Sequence, residues 1–314
     1  MGRLVQGERS KVLSTNHVSG AHEVVNCFSI DVESFSESNV ESFPIPSRHL
    51  DRPRQNREIE VNVDCILGLL EEHHVKATFF FLGRIARDLP ALVRRVAGQR
   101  HEIGCHSWEH FRLYGLDPNT FARQLRQAKQ LLENASGHPV YGFRAPDFSI
   151  TQSSLWALDA MREAGFLYDS SVYPFRGHDV YGLAEAPPHI HRLANGLIEW
   201  PLATIPILTR RLPVGGGGYF RLYPSGLTEL CFSRLNCQRQ PCMFYIHPYE
   251  IGPAMEPIGG LSLLRRFRHY YRCGRLDGQL DRLLKKFRFA PAIAVLRKMG
   301  YIPENITKTE TAYV

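Results

Sequence analysis

The sequence predicts an α/β barrel. Seven short apolar runs alternate with helical patterns along the chain. Strands separated by helices imply a parallel sheet, because a parallel return needs a crossover. The 314 residues hold one barrel of roughly 250 residues with an extension at each end. No Gly-rich dinucleotide fingerprint follows the first strand, which weighs against an open nucleotide-binding sheet.

The elements follow in order. "VVNCFSI" (24–30) reads as a buried strand, and the polar, Pro-containing stretch 35–57 as a long loop. In 58–74, Ile59, Val63, Ile66, Leu67 and Leu70 fall at helical spacing. "KATFFFL" is strand-like, "LPALVRRVAGQ" opens a helix at Pro90, and "HEIGCH" is the next strand. Residues 117–137 carry the clearest helical signal. Asp117 is the cap, Pro118 the first position, Phe121, Leu125, Ala128 and Leu132 the stripe, and Gly137 the stop. "VYGFRAP" is a strand, "TQSSLWALDAMREAG" a helix capped by Thr151, and "FLYDSS", "GLIEWPLA" and "PCMFYIH" are further strands. "VGGGGYF" (214–220) lacks the Lys-Ser/Thr pair of a phosphate loop and reads as a flexible or closely approached loop.

Composition narrows the function. Lys and Arg total 38 against 31 Asp and Glu, a net charge of +7. That is a mild excess, and without a fingered motif or a dense basic stripe it predicts no nucleic-acid partner. Seven cysteines without a regular framework point to a reducing compartment. Residues 1–23 lack an apolar signal segment and read as a mobile tail, and no run reaches the ~18 apolar residues of a membrane span. Residues 262–298 are rich in Arg and Lys at amphipathic helical spacing, as solvated closing helices or a surface for an anionic partner. The expected division is a tail (1–23), a catalytic barrel (24–255) and a basic helical segment packed on it (256–314).

Ionisable residues collect where the strands end. The first gives Asp31 and Glu33, the third His106 and His110, the fourth Arg144 and Asp147, the fifth Asp169, the last His247 and Glu250. In a barrel these ends form one rim, the active-site face. Alone, a His pair four apart reads as surface and an acid after a strand as a helix cap; together on one rim they read as a metal hydrolase. Two imidazoles and a carboxylate, for which Glu33 is favoured, make a three-ligand site with an open position. A divalent ion there acidifies water and polarises a carbonyl. Asp31 then takes the water's proton, Arg144 keeps Asp31 ionised, His247 protonates the leaving group, and Asp169 holds the His247 imidazolium.

Asp31, "HSWEH", "RAPDF", "DSSVY" and "YIHP", in this order, resemble the five motifs of NodB-type polysaccharide deacetylases, carbohydrate esterase family 4. "FSIDVESF", "GFRAPDFSIT", "HDVYGLAEAP", "GGGGYFRLYP" and "FYIHPYEI" look like the subgroup encoded beside exosortase and exopolysaccharide genes in Gram-negative bacteria, over about residues 24–295. The resemblance implies a distorted (β/α)7 barrel and N-deacetylation of amino sugars in a glycan. It implies His106 and His110 as ligands of one divalent ion, zinc with cobalt or nickel as alternatives, Asp31 as base and His247 as acid. It also implies Arg144 as the base's tether and Asp169 as the partner of His247. Typical members have a second aspartate after the first; here that place is Val32 and the nearest acid is Glu33. Whether Glu33 replaces that ligand stays open.

Trp108, Phe148, Tyr173 and Tyr219 are candidates for stacking on sugar rings, with core packing as the alternative. The expected partner is an N-acetylated glycan. The expected location is cytoplasmic, peripheral at the inner membrane or its polysaccharide assembly proteins. The rivals are a cyclic-amide hydrolase like the allantoinases and a non-catalytic glycan-binding barrel.

Overall fold

The computed structural model describes residues 24–176, 180–224, 226–255 and 257–305. The expected tail, 1–23, lies outside them. Eleven strands are formed among the described residues: β1 Val25–Val32, β2 Thr78–Phe81, β3 Glu102–Cys105, β4 Gly142–Phe143, β5 Tyr168–Asp169, β6 His191–Arg192, β7 Ile198–Glu199, β8 Thr204–Ile207, β9 Arg210–Pro213, β10 Met243–Ile246 and β11 Arg288–Ala290. The main sheet runs β10-β1-β2-β3-β4-β5-β7-β6, parallel until β6 turns back against β7. In its register, Ser29 of β1 stands beside Tyr245 on one side and Thr78 on the other.

The sheet curls. Beyond β5 and β7, Leu202 N donates to Val172 O at 3.2 Å and Val214 N to Ala203 O at 2.9 Å. On the far side Tyr245 N donates to Gly215 O at 2.8 Å. The β8–β9 hairpin therefore spans the space between the β7 side and β10. This is the α/β barrel that the strand–helix alternation predicts, in the distorted (β/α)7 form that the resemblance implies.

Strand alternation divides the core in two. Phe28, Ile30, Val32, Phe79 and Phe81 pack with helix residues such as Ile59, Val63, Leu125 and Leu132. The alternate residues Cys27, Phe80, Tyr168, Ile198, Met243 and Tyr245 form a second, interior cluster. Cys27 starts the interior row of β1, so Ser29, Asp31 and then Glu33 continue it towards the rim. Cys27 and Cys105 are both buried, as their apolar runs predict.

The stretch expected as a loop over 35–57 is partly helical. Helices occupy Phe35–Asn39 and, from Arg52, the long segment Arg52–Glu72. Asp51 caps the latter by accepting from Arg54 N, and Pro53 sits in its first turn. Those caps lie in polar sequence where the apolar stripe has not begun. Helix Pro118–Ser136 matches expectation, with Asp117 accepting from Thr120 N and Gly137 left-handed at φ 75°. The segment 151–165 is a 3-10 turn, Gln152–Ser154, followed by helix Trp156–Glu163.

Two features lie outside the seven expected strands and bear on the site. β11 pairs in parallel with the first three residues of β1. Gly215 and Gly216 lie against β10, so the glycine run is the closely approached alternative. No described helix is long and apolar enough to cross a membrane.

Candidate active site

The site grows from the interior row of β1. Arg144, at the end of β4, is fully buried. Its guanidinium donates to Ser29 Oγ (2.8 Å), Asp31 Oδ1 (2.7 Å), Ser170 O (3.1 Å) and Ser170 Oγ (3.0 Å). The plane also rests over the Phe80 ring at 4.3 Å. A buried cation is tolerable because every edge of the fork is engaged. Asp31 is thus held by a fixed positive charge, as the sequence leads one to expect.

Two residues further along, Glu33 is buried between imidazoles. His110 Nε2 lies 2.9 Å and His106 Nε2 3.4 Å from Glu33 Oε2. The three donor atoms fall within 4.8 Å of one another. His106 Nδ1 is 2.8 Å from Arg144 O. A carbonyl only accepts, so Nδ1 carries a hydrogen and Nε2 is the nitrogen turned towards Glu33. The loop 106–110 that supplies both rings is pinned by Ser107 O and Trp108 O, which accept from Gly83 N and Arg84 N.

The charges explain what such a site takes. Burial alone raises the Glu33 carboxyl, but His110, His106 and His247 carry it well below the usual carboxylate range. Burial lowers His110, and Glu33 more than reverses this, lifting it to about 9. Both Glu33 oxygens are buried without a conventional hydrogen-bond donor. A carboxylate with two imidazole lone pairs in this arrangement fits a divalent cation, which displaces the proton otherwise held there. Glu33 therefore reaches the two histidines despite its shift of one residue.

His247 follows β10. Its Nε2 lies 3.4 Å from Glu33 Oε1. Its Nδ1 lies 3.2 Å from Glu250 Oε2, and its ring stacks on Tyr249 at 4.9 Å. Burial lowers the His247 pKa, and Glu250, then Glu33 and Asp31, raise it above its ordinary value. Glu250 in turn accepts from Arg221 Nε at 2.6 Å. Arg221 Nη1 also donates to His269 O (3.2 Å) and Tyr271 O (3.0 Å).

The expected pairing of His247 with Asp169 is not formed. Asp169 faces Ser171 Oγ at 2.5 Å and the buried Glu199. Burial lifts the Asp169 carboxyl to about 6. Glu250 takes the expected place because His247 and Glu250 stand three apart in the first turn of the short helix Pro248–Ile251. That spacing, with a capping box, was the available sequence signal. Ser29, Ser170, Glu199 and Arg221 carried none.

The aromatic candidates divide as well. Tyr173 has no exposed surface and Phe148 little, so neither presents a ring face to a sugar. Both belong to an interior cluster with Tyr181 and Tyr245. Trp108 and Tyr219 are half-buried, and Tyr219 Oη lies 3.0 Å from Tyr181 Oη. Asp147 is paired with Arg112 at 2.7 Å.

Fold and site define a barrel protein with a buried carboxylate–bis-imidazole centre on its carboxyl rim. Residues 54–168 match the family model described as Polysaccharide deacetylase, and residues 170–297 match one described as a domain of unknown function, DUF3473. The sequence likeness to the polysaccharide deacetylases lies in the first of these segments. It is 34% identical over 95 residues to the peptidoglycan-N-acetylglucosamine deacetylase of Bacillus cereus, covering 30% of this chain and 34% of that protein. It is 39% identical over 70 residues to a chitooligosaccharide deacetylase of Rhizobium leguminosarum bv. trifolii, covering 22% and 33%. The chain thus matches about a third of the length of these curated relatives. A crystal structure from Mycobacterium smegmatis assigned to the polysaccharide deacetylases shares the fold at TM-score 0.58 and 20% identity, over 95% of this chain and 99% of that one. Puue allantoinase shares it at TM-score 0.58 and 14% identity, over 93% and 96%.

Proposed function

We propose that the chain is a metal-dependent hydrolase that removes N-acetyl groups from amino sugars of a polysaccharide or lipid-linked glycan, releasing acetate. The observation that carries this is the buried Glu33 carboxylate set between His106 and His110, two residues from the Arg144-tethered Asp31. The sequence similarity to named N-acetylglucosamine and chitooligosaccharide deacetylases supports the substrate class.

Glu33, His106 and His110 would hold one divalent ion, zinc with cobalt or nickel as alternatives. When bound, such an ion polarises the amide carbonyl and acidifies water. Asp31 takes the proton of the water whose oxygen adds to the acetyl carbon. Arg144 holds the Asp31 side chain fixed for that task. His247 gives a proton to the sugar nitrogen as the carbon–nitrogen bond breaks, leaving acetate and a free amine. Glu250 orients the His247 ring, with Arg221 behind it, in the role the sequence assigned to Asp169. Trp108 and Tyr219 are the remaining candidates to meet sugar rings. The substrate we favour is an exopolysaccharide or its lipid-linked precursor, reached from the cytoplasmic side of the inner membrane.

The test measures metal content and acetate release for the wild type, Glu33→Ala and His106→Ala. We expect near-stoichiometric metal in the wild type, lost in both variants together with acetate release from an N-acetylated oligosaccharide. Metal lost only in His106→Ala removes Glu33 as a ligand. Ring opening of a cyclic ureide, with no acetate from glycans, would replace the proposal by an allantoinase-like activity.

A further inference from the structure

We propose that the helix Leu263–Tyr270 lays the molecule on an anionic lipid bilayer. Exposure is the first argument. Leu263 is 86% exposed, Leu264 77%, Phe267 54% and Tyr271 41%. None of the eight helical residues is buried. At about 100° per residue, these four side chains fall within one arc of roughly 100°. Arg268 borders the arc on one side and Arg266 lies towards the other. Apolar surface displayed this openly is costly in water unless something covers it.

Charge selects what covers it. Between Pro257 and Leu276 there are five arginines, at 265, 266, 268, 272 and 275, and no acidic residue. Leucines and an aromatic beside arginines suit the boundary between acyl chains and phosphates, where the guanidinium reaches headgroups while the apolar arc enters below them. Each arginine near an anionic leaflet adds to the attraction. A protein partner fits less well. Four side chains on one short helix are a small part of the roughly 20–30 residues per side of a standard interface.

The helix is not loosely attached. Tyr270 Oη accepts from Ile258 N at 2.8 Å, its ring lies 4.8 Å from Phe35, and the His269 ring lies 5.0 Å from Phe43. Arg221 joins the carbonyls of His269 and Tyr271 to Glu250, the carboxylate beside His247. A bilayer held by this helix is therefore in fixed relation to the candidate acid. Docking follows from the helix itself; that it presents a lipid-linked glycan to the site rests on the hydrolase reading above.

The experiment is co-sedimentation of the full chain with vesicles of phosphatidylcholine alone and of phosphatidylcholine with phosphatidylglycerol. The wild type is expected on the phosphatidylglycerol vesicles, at least about tenfold more weakly on phosphatidylcholine, and less as salt rises. The triple variant Leu263→Ser, Leu264→Ser, Phe267→Ser keeps every charge and is expected to lose about tenfold in binding. Arg266→Gln with Arg268→Gln, the two arginines beside the arc, is expected to lose the preference for the anionic lipid. A wild type that ignores both vesicles overturns the proposal. So does a triple variant that binds like the wild type, which would make the attraction a property of net charge alone. A wild-type dimer that the triple variant breaks also overturns it, because a second copy then covers the arc. Binding is read without turnover, so an inactive protein that still binds the anionic vesicles overturns the hydrolase reading and leaves the docking surface standing.

Discussion

His101 lies away from the site, but its environment makes a prediction about acid stability. It is buried, accepts from Ala77 N at 3.1 Å, and meets the Phe79 ring edge at 5.0 Å. Burial, aided by Lys76, holds its pKa at about 4 rather than the ordinary 6.5. The folded pKa lies below the unfolded one, so the unfolded chain binds the extra proton first. Stability from this residue is complete above pH 6.5 and is lost as pH falls towards 4. Glu58, pushed up to about 7 by burial, titrates in the opposite sense, so the measurement must be a difference. Urea unfolding at pH 7 and pH 5 should show the wild type losing about 1–2 kcal/mol more than His101→Gln. Equal losses would mean that the imidazole takes up its proton as readily in the folded protein as in the unfolded chain.

At the scale of elements, Gly216 makes the clearest demand. Its φ is +121°, and a Cβ there would lie 2.0 Å from Tyr245 O. Only glycine lets the chain after β9 run directly against β10. Gly216→Ala should lower stability by about 2–4 kcal/mol, read as a shifted urea midpoint. Gly218→Ala, with only the end of Arg221 within 4 Å, should cost far less. An equal cost would point to the helix that follows rather than to the contact with β10. This contact was only half legible in the sequence. "VGGGGYF" allowed close approach but did not name the neighbour, because a parallel partner comes from a distant strand. The buried strands and the Phe121–Leu132 stripe were legible, since each depends on local periodicity. Glu33 was legible for the same reason: residues two apart on a strand share a face. The Asp169 pairing failed because partner choice depends on how two strands sit across the barrel. The signal for Glu250 was local, three residues from His247 and one helical turn.

The whole molecule raises the question of where its folding unit ends. The sequence suggests a barrel closing by residue 255 with a helical segment packed upon it. β11 complicates that division, because it pairs with Val25–Cys27 inside the main sheet. Behind it, Ala292 N donates to Thr78 Oγ1 at 2.8 Å and Ile293 N to Glu102 Oε2 at 3.0 Å. Glu102 is half-buried, and its carboxylate also accepts from Thr78 and Tyr168. Gly274 N donates to Glu250 O at 2.8 Å, and Arg221 loses its three carbonyl partners without residues 268–271. A chain stopped at 255 would therefore bare the edge of β1, leave a buried guanidinium under-satisfied and strip a donor from the half-buried Glu102 carboxylate. Each unsatisfied buried group costs about 1–3 kcal/mol, against a total stability of about 5–15 kcal/mol. We expect residues 24–255 expressed alone to be insoluble or to lack a cooperative thermal transition, whereas 24–305 should melt in one step. A soluble, cooperatively melting 24–255 would establish the barrel as an independent unit. It would also reduce β11 and the helix after it to a removable cover.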